Sequence, residues 1–385
     1  MVLRNNHAPR FVVLGGAGAI GRTVARDLFE SGPGNHIVIS DFNGDAAKAT
    51  AENYRSRRVT WSRADARDPA DLMATLADCS AVVNCTRHQL NLTVMQAALN
   101  SRVHYLDLGG LFIWTRRQLR LNRLFADAGI TAIIGMGCAP GLTNVMAAAA
   151  ATAFERVHSV RIRIAGIDFN EQRDPFTFPY SPATIIQELT LPPWKWSRGR
   201  FVKARPRSGW ERVAFDPPIG EAWVVLTRHS EIATLPSRLK AKGLRYADFK
   251  VSFDRNFVKE LMRRLRSGCA VHDFDTVAGA RNSVNDYEVA RVIVSGRLPG
   301  QREIRTMIMD CCARSRMEWH ASAGDMDTAC PASIVAQMLT SGVIDQPGVW
   351  APEDVVPPQA LFEQMRRRRM EIRQQKGPRG QWFSP

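Results

Sequence analysis

Gly16, Gly18 and Gly21 lie at the spacing Gly-x-Gly-x-x-Gly within Arg10-Phe-Val-Val-Leu-Gly-Gly-Ala-Gly-Ala-Ile-Gly-Arg22. An apolar, partly β-branched run stops at them, and a helix-forming segment, Thr23 to Glu30, follows directly. In the order strand, tight turn, helix, each glycine has a task. Gly16 makes the turn, and Gly18, followed by Ala19 and Ile20, lets backbone N–H groups approach a pyrophosphate. Gly21 lets the helix pack on the strand. A glycine turn of this kind can also be no more than a tight turn. A second apolar strand, His36 to Ser40, ends in Asp41, 20 residues after Gly21, where a carboxylate would hold a ribose 2′-hydroxyl. The pattern predicts dinucleotide binding. Asp41 favours NAD, since it would repel the extra phosphate of NADP, while Arg22 and Asn43 leave NADP open.

The elements that would position these residues follow in order. An alanine-rich helix, about Gly44 to Tyr54, precedes a short strand, Val59 to Trp61, that leads to Asp65 and Ala66. At that end of a nucleotide-binding sheet the two are candidate adenine contacts; alternatively Asp65 is only loop and Asp68 caps the next helix. A fourth strand, Ala81 to Thr86, breaks at Thr86-Arg87-His88, and a helix over Leu90 to Asn100 leads to a strand ending in Asp107. A long basic helix is predicted over Trp114 to Asp127, then the strand Ile130 to Ile134 and the loop Gly135 to Gly141. Six strands alternating with helices predict an α/β, Rossmann-type, doubly wound parallel sheet. Ligands collect outside the carboxyl ends of such strands. The glycine loop, Thr86 to His88, Asp107 and Gly137 to Gly141, which holds Cys138, should therefore face one crevice.

At Arg156 the pattern changes to alternation: Val160, Ile162 and Ile164 on one side, Arg161 and Arg163 on the other, as in a half-exposed strand. Alternating segments dominate from there, so a second, α+β domain with a mainly antiparallel sheet is expected. The expected boundaries are 1–155, 156–330 and 331–385.

A chain of 385 residues accommodates two domains. No run of about 18 apolar residues occurs, which argues against a membrane span. The N-terminal residues lack a signal-peptide core, so a cytoplasmic location is expected. Seven cysteines form no Cys-x-x-Cys pair, so neither a metal site nor a disulfide framework is indicated. The net charge of +15 suits anionic ligands, and part of it sits in Arg366-Arg-Arg-Arg369 and the tail, which reads as a solvated face.

The motifs resemble the saccharopine dehydrogenase-like oxidoreductases, and within them the L-lysine 6-dehydrogenase type. The resemblance rests on Val83-Asn-Cys-Thr with Asn91-Leu, His104-Tyr-Leu-Asp-Leu-Gly-Gly110 and Ala139-Pro-Gly-Leu-Thr-Asn-Val145. It continues through Tyr180-Ser-Pro-Ala-Thr184, Pro218-Ile-Gly-Glu221, His229-Ser-Glu231, Thr234-Leu-Pro236 and Ser333-Ile-Val-Ala-Gln-Met338. Two features depart from the family pattern: Thr328-Ala-Cys-Pro331, and the basic, tryptophan-bearing stretch Trp194 to Trp210 together with the run Arg366 to Arg369. The resemblance implies that the segment from about Ala332, through a helix over Gln359 to Arg373, returns to the first domain.

Enzymes of this kind move a hydride between a nicotinamide and a carbon bearing nitrogen. An ammonium must first lose a proton, because its lone pair has to form the C=N bond. Asp107, a carboxylate ending a central strand, is a candidate partner for the substrate ammonium, or alternatively a helix cap or a residue bonded to the Gly109–Gly110 turn. Cys85, Thr86 and Cys138 would flank the nicotinamide, with Cys138 not acting as a nucleophile. His229 is a candidate acid–base group, expected in a strand, with Glu231 beside it. Tyr180 and Ser181 could donate to a substrate carboxylate, and Arg87 and Arg228 are candidate clamps for it.

The resemblance therefore implies an NAD(P)-dependent amine or amino-acid dehydrogenase, expected to be a homodimer. A second reading keeps the fold and makes it a reductase condensing an aldehyde with an amine, as saccharopine- or carboxyspermidine-forming relatives do. A third, from another class, is a dinucleotide-binding sensor whose basic tail contacts nucleic acid; so many crevice motifs would then lack a role that nucleic acid is not the expected partner.

Overall fold

Phe11, Val12 and Val13 are wholly buried, so the first strand is covered on both faces and reads as a continuous apolar run with no alternation. The computed structural model describes residues 8–170, 176–274, 284–376 and 382–383. The chain divides into two compact units, Met1–Leu142 with Asp327–Gln364, and Thr143–Met326 with Met365–Pro385.

In the first unit, β1 (Arg10–Leu14), β2 (His36–Asp41), β3 (Val59–Arg63), β4 (Ala81–Asn84), β5 (His104–Asp107) and β6 (Thr131–Ile133) form a parallel sheet. A seventh strand, Gly348–Trp350, joins it beside β6, and the order is Gly348–Trp350, β6, β5, β4, β1, β2, β3. The chain therefore reverses its direction of travel across the sheet between β1 and β4, the switch point at which such sheets bind dinucleotides. The first helix, α1 (Ala19–Ser31), is tied to the returning segment by Gln337 Nε2, which donates to Ser31 Oγ at 3.0 Å.

Two sequence expectations change here. The basic helix predicted over Trp114 to Asp127 is two helices, Phe112–Gln118 and Asn122–Asp127, separated by the tight turn Leu119–Leu121. The break lets Leu119 and Leu121 pack partly against the core while Gln118 is buried. The helix expected to run to Arg373 is Pro358–Arg367, and Arg369 adopts φ 63°. Glu371–Lys376 is instead a strand of the second unit, with Ile372 buried, because the sequence alternates there.

The second unit is built on β7 (Arg156–Asp168), β8 (Trp194–Ser197), β9 (Arg200–Lys203), β10 (Glu211–Ala214), β11 (Glu221–Leu226), β12 (Tyr246–Ser252), β13 (Asp286–Arg297) and β14 (Ile304–Arg314). Its order begins β10, β11, β12, β7, β13, β14, followed by Glu371–Lys376; β12 and β7 are parallel and the other neighbours along this path antiparallel. One face of β7 carries Val160, Ile162 and Ile164, all buried.

The other face is solvated at Arg161, as alternation predicted, but not at Arg163. Arg163 is only 1% exposed and pairs with Asp248 at 2.8 Å and Glu211 at 2.5 Å. Directly across the strands lie Lys250, Arg163, Arg291, Asp310 and Arg373 in one row. Arg291 holds Asp310 bidentately at 2.7 and 2.8 Å, and Phe215 packs over Ala165, Val289 and Cys312. The hairpin that carries Glu211 and Phe215 thus covers this face, and the cations are tolerated because each finds a carboxylate.

Candidate functional site

The turn after β1 is made by Gly15, with φ 71°, one residue earlier than the spacing suggested. Gly16 is needed for closeness: a Cβ there would stand 2.7 Å from the Val13 carbonyl and 2.9 Å from Ile39. A Cβ on Gly21 would lie 2.2 Å from the Gly15 carbonyl, so the helix could not approach the strand. Gly18 differs. It is exposed, and the nearest atom to a Cβ there is the Gly15 carbonyl at 3.3 Å, so the fold itself leaves its outer face open. α1 starts at Ala19 and Ile20 with no capping side chain and no acid in its first turn. Its free N–H groups and an open glycine are the chemistry a pyrophosphate needs. At the tip of β2, Asp41 Oδ2 accepts from Ala17 N and Oδ1 from Asn43 N, both at 3.1 Å. Each oxygen keeps a lone pair for a ribose hydroxyl. The residues fit a dinucleotide.

Asp65 and Ala66, expected as adenine contacts, lie just beyond the end of β3. Asp65 is chelated by Arg67, at 2.6 Å from Nη2, and these bonds hold its carboxyl down at about 2. Ala66 is buried in the sheet core.

Around the ends of β4 and β5 the polar groups form one chain. Thr86 N and Oγ1 both donate to Asn84 Oδ1, and Asn84 Nδ2 donates to Asn91 Oδ1 at 3.0 Å and Tyr105 OH at 3.3 Å. Asp107 is wholly buried and accepts four bonds: Gly109 N at 2.8 Å and Gly135 N at 2.7 Å on Oδ1, Tyr105 OH at 2.8 Å and Gln118 Nε2 on Oδ2. Burial pushes its carboxyl up, and the four donors work the other way. These bonds include the one to the Gly109 turn that the sequence left open as an alternative. Asp107 closes the Gly109 turn against the Gly135 loop, where a Cβ on Gly109 would stand 2.6 Å from Pro140. Cys85 is half-buried with its thiol pushed up by burial, and Cys138 is buried in the loop closed by Gly137 N to Pro140 O at 2.8 Å. Arg87 is exposed.

In the second unit, His229 sits in the loop after β11, not in a strand, and Glu231 opens α9 (Glu231–Leu239). Its ring stacks on Phe249 at 3.9 Å. Nε2 lies 2.9 Å from Glu188 Oε1, and Nδ1 lies 3.3 Å from Glu231 Oε1. Burial opposes charge on the imidazole, but the Glu231 and Glu188 carboxylates outweigh it and raise His229 to about 10. Tyr180 turns its hydroxyl onto Glu188 Oε2 at 2.5 Å; burial and that carboxylate push it well above an ordinary phenol. Ser181 caps α8 (Pro182–Thr190), accepting from Thr184 N at 3.5 Å, so its oxygen serves the helix first.

Sequence reasoning missed Glu188. Its signal is a carboxylate within the buried stripe Ile185, Glu188, Leu189 of α8, a place where an acid needs a partner. The loop around His229 is further marked by buried polar atoms that carry no hydrogen bond: Thr227 Oγ1, Arg228 Nε, Ser230 Oγ and Glu231 Oε2. Native structures leave few such atoms unpaired, and a run of them in one loop fits a polar ligand.

Among the described residues no helix is long and apolar enough to cross a membrane. Residues 11–133 match the family model described as the saccharopine dehydrogenase NADP binding domain, and residues 137–370 match the saccharopine dehydrogenase C-terminal domain. A carboxyaminopropylagmatine dehydrogenase from Synechocystis sp. is 25% identical over 264 residues, covering 65% of this chain and 64% of that protein. A carboxynorspermidine synthase from Vibrio alginolyticus is 22% identical over 256 residues, 60% of each chain. The chain thus spans just under two thirds of the length of these relatives. Apo saccharopine dehydrogenase (L-Glu forming) from Saccharomyces cerevisiae shares the fold, with a TM-score of 0.73 at 12% identity over 96% of this chain and 99% of that one. Two consecutive domain matches, a shared fold and a glycine cradle that fits NAD(P) lead to one conclusion: the chain belongs to the saccharopine dehydrogenase family.

Proposed function

We propose that the protein is an NAD(P)-dependent oxidoreductase acting on the C–N bond of an amine that also carries a carboxylate. The observation that carries this reading is the buried Glu188–His229–Glu231 cluster beside a loop whose Arg228 Nε, Ser230 Oγ and Glu231 Oε2 lack hydrogen bonds. Two carboxylates around one imidazolium leave a net negative charge, which suits an ammonium; an unpaired guanidinium suits a carboxylate.

In this reading Gly18 and the N-terminus of α1 hold the diphosphate of NAD(P), and Asp41 holds a ribose. The bound nicotinamide supplies the hydride chemistry. Glu231 Oε2 takes the proton that an ammonium must lose, and His229, bonded on its other side to Glu188, spreads the charge that results. Run the other way, the same proton returns to nitrogen as an imine is reduced. Arg228 and Ser230 orient the carboxylate, with Arg87 and Ser181 as further candidates. Tyr180 keeps Glu188 in place. Asp107 holds the two glycine loops.

The relatives' names point to condensation of an aldehyde with an amine, giving a carboxylated secondary amine; this is the preferred form of the reading. The motif resemblance to L-lysine 6-dehydrogenase favours oxidation of a primary ω-amine as the second. Absorbance of reduced nicotinamide separates them. NADPH or NADH consumed only when an aldehyde and an amine are both present supports the first, and NAD(P) reduced by lysine or another primary amine supports the second. Tight cofactor binding with no turnover in either direction would defeat both.

A further inference from the structure

The second unit carries a concentration of cations that the proposed reaction does not use. Arg156, Arg198 and Arg245 line a cleft of about 520 Å³ with Gly199, Gly243 and Leu244. Arg297 stands directly across from Arg156, in the pairing of β13 with β7. The four arginines come from four segments: the start of β7, the β8–β9 turn, the link into β12 and the end of β13.

The floor is built. Arg198 N donates to the Arg245 carbonyl at 2.8 Å, Arg245 N to the His158 carbonyl at 3.0 Å, and Trp196 Nε1 to the Leu244 carbonyl at 3.0 Å. Arg198 and Gly199 turn with φ of 51° and 80°. Gly243 has φ 88°, and a Cβ on it would lie 3.4 Å from Nη2 of Arg156, so glycine there both makes the turn and gives the guanidinium room.

What the cleft lacks is counter-charge. Arg67 and Arg263 each find a carboxylate close by, Asp65 and Glu260. Among the described residues none of Arg156, Arg198, Arg245 and Arg297 has an ion pair or a side-chain hydrogen bond, and neither does the adjacent Glu155. Burial first, and then the charges of Arg297, Arg245 and Arg156, lower the proton affinity of His158 in β7.

We propose that this cleft is a binding site for a phosphate-bearing small molecule of two or more negative charges. Guanidinium forks match phosphoryl oxygens in pairs, and arginines from three segments lining one cleft favour a dianion over a single carboxylate. The cleft volume is that of a small-molecule site.

Inorganic pyrophosphate is the probe, titrated calorimetrically into the full chain at low salt with the glycine loop already filled by NADPH. One pyrophosphate per chain is expected, weakening as salt rises. Arg198→Ser with Arg245→Ser should lower that affinity by at least about tenfold while NADPH binding is unchanged. Should the double variant fold poorly, the unaltered protein still decides the matter. The titration midpoint of the His158 imidazole, followed by NMR and assigned with His158→Gln, should rise when pyrophosphate binds, because an anion offsets the surrounding arginines. Absence of pyrophosphate binding, binding that the double variant retains, a stationary His158 midpoint, or binding confined to phosphoinositide vesicles or nucleic acid would each overturn the proposal.

Discussion

His229 Nε2 lies 2.9 Å from Glu188 Oε1, across 41 residues of sequence, while its other ring nitrogen faces Glu231. The imidazole is thus held as a cation between two buried acids, and its proton is shared property of the cluster.

A pH dependence follows from that geometry. His229 is raised from 6.5 to about 10, so the cluster's contribution to stability is fully present below about 6.5 and is lost as pH rises through about 10. Urea denaturation of the wild type should lose stability across that window, and His229→Gln should flatten the loss. Glu188→Gln should lower the His229 midpoint by at least about one unit, read by NMR, and cut kcat by at least about tenfold. An unmoved midpoint in Glu188→Gln would refute the cluster.

Asp107 gives a different expectation. Asp107→Ala removes the acceptor for two backbone N–H groups, Tyr105 and Gln118 in a buried place, and should cost about 3 kcal/mol in chemical denaturation. Asp107→Asn should cost less: its amide oxygen keeps the Gly109 and Gly135 bonds, and the Gln118 Oε1, now without a partner, can accept from its nitrogen once that amide turns. A residue that only met substrate would raise KM and leave stability unchanged.

The glycine loop separates folding from binding. Gly21→Ala places a methyl 2.2 Å from the Gly15 carbonyl and should lower Tm sharply. Gly18→Ala, with 3.3 Å to its nearest neighbour and an ordinary φ of −71°, should keep Tm and weaken NAD(P) about tenfold or more in a fluorescence titration. Equal losses of Tm in the two variants would contradict this division.

Cofactor preference is expected to rest on Asp41. Asp41→Asn keeps an oxygen for Ala17 N and removes the negative charge, so the NADP-to-NAD ratio of kcat/KM should rise by about tenfold. Steady-state kinetics with both cofactors measures it, and a falling ratio would show that Asp41 does not repel the extra phosphate.

Much of the fold was legible in the sequence because its signals are local. Apolar runs ending at glycines, an acid at the end of β2, and the change to alternation at Arg156 each depend on a dozen residues or fewer. They determine the parallel sheet, the glycine cradle and the second, mainly antiparallel unit. The tertiary structure alone decided where the buried charges find partners. Arg163, read as half-exposed, is covered because a hairpin some 48 residues away brings Glu211 and Phe215 over it. Asp107 is a clamp because Gln118 and Gly135 converge on it, Ala66 is core, and Glu188 reaches the His229 loop from a helix earlier in the chain. Periodicity says which side of an element is buried; only the packing of distant segments says which polar group waits there.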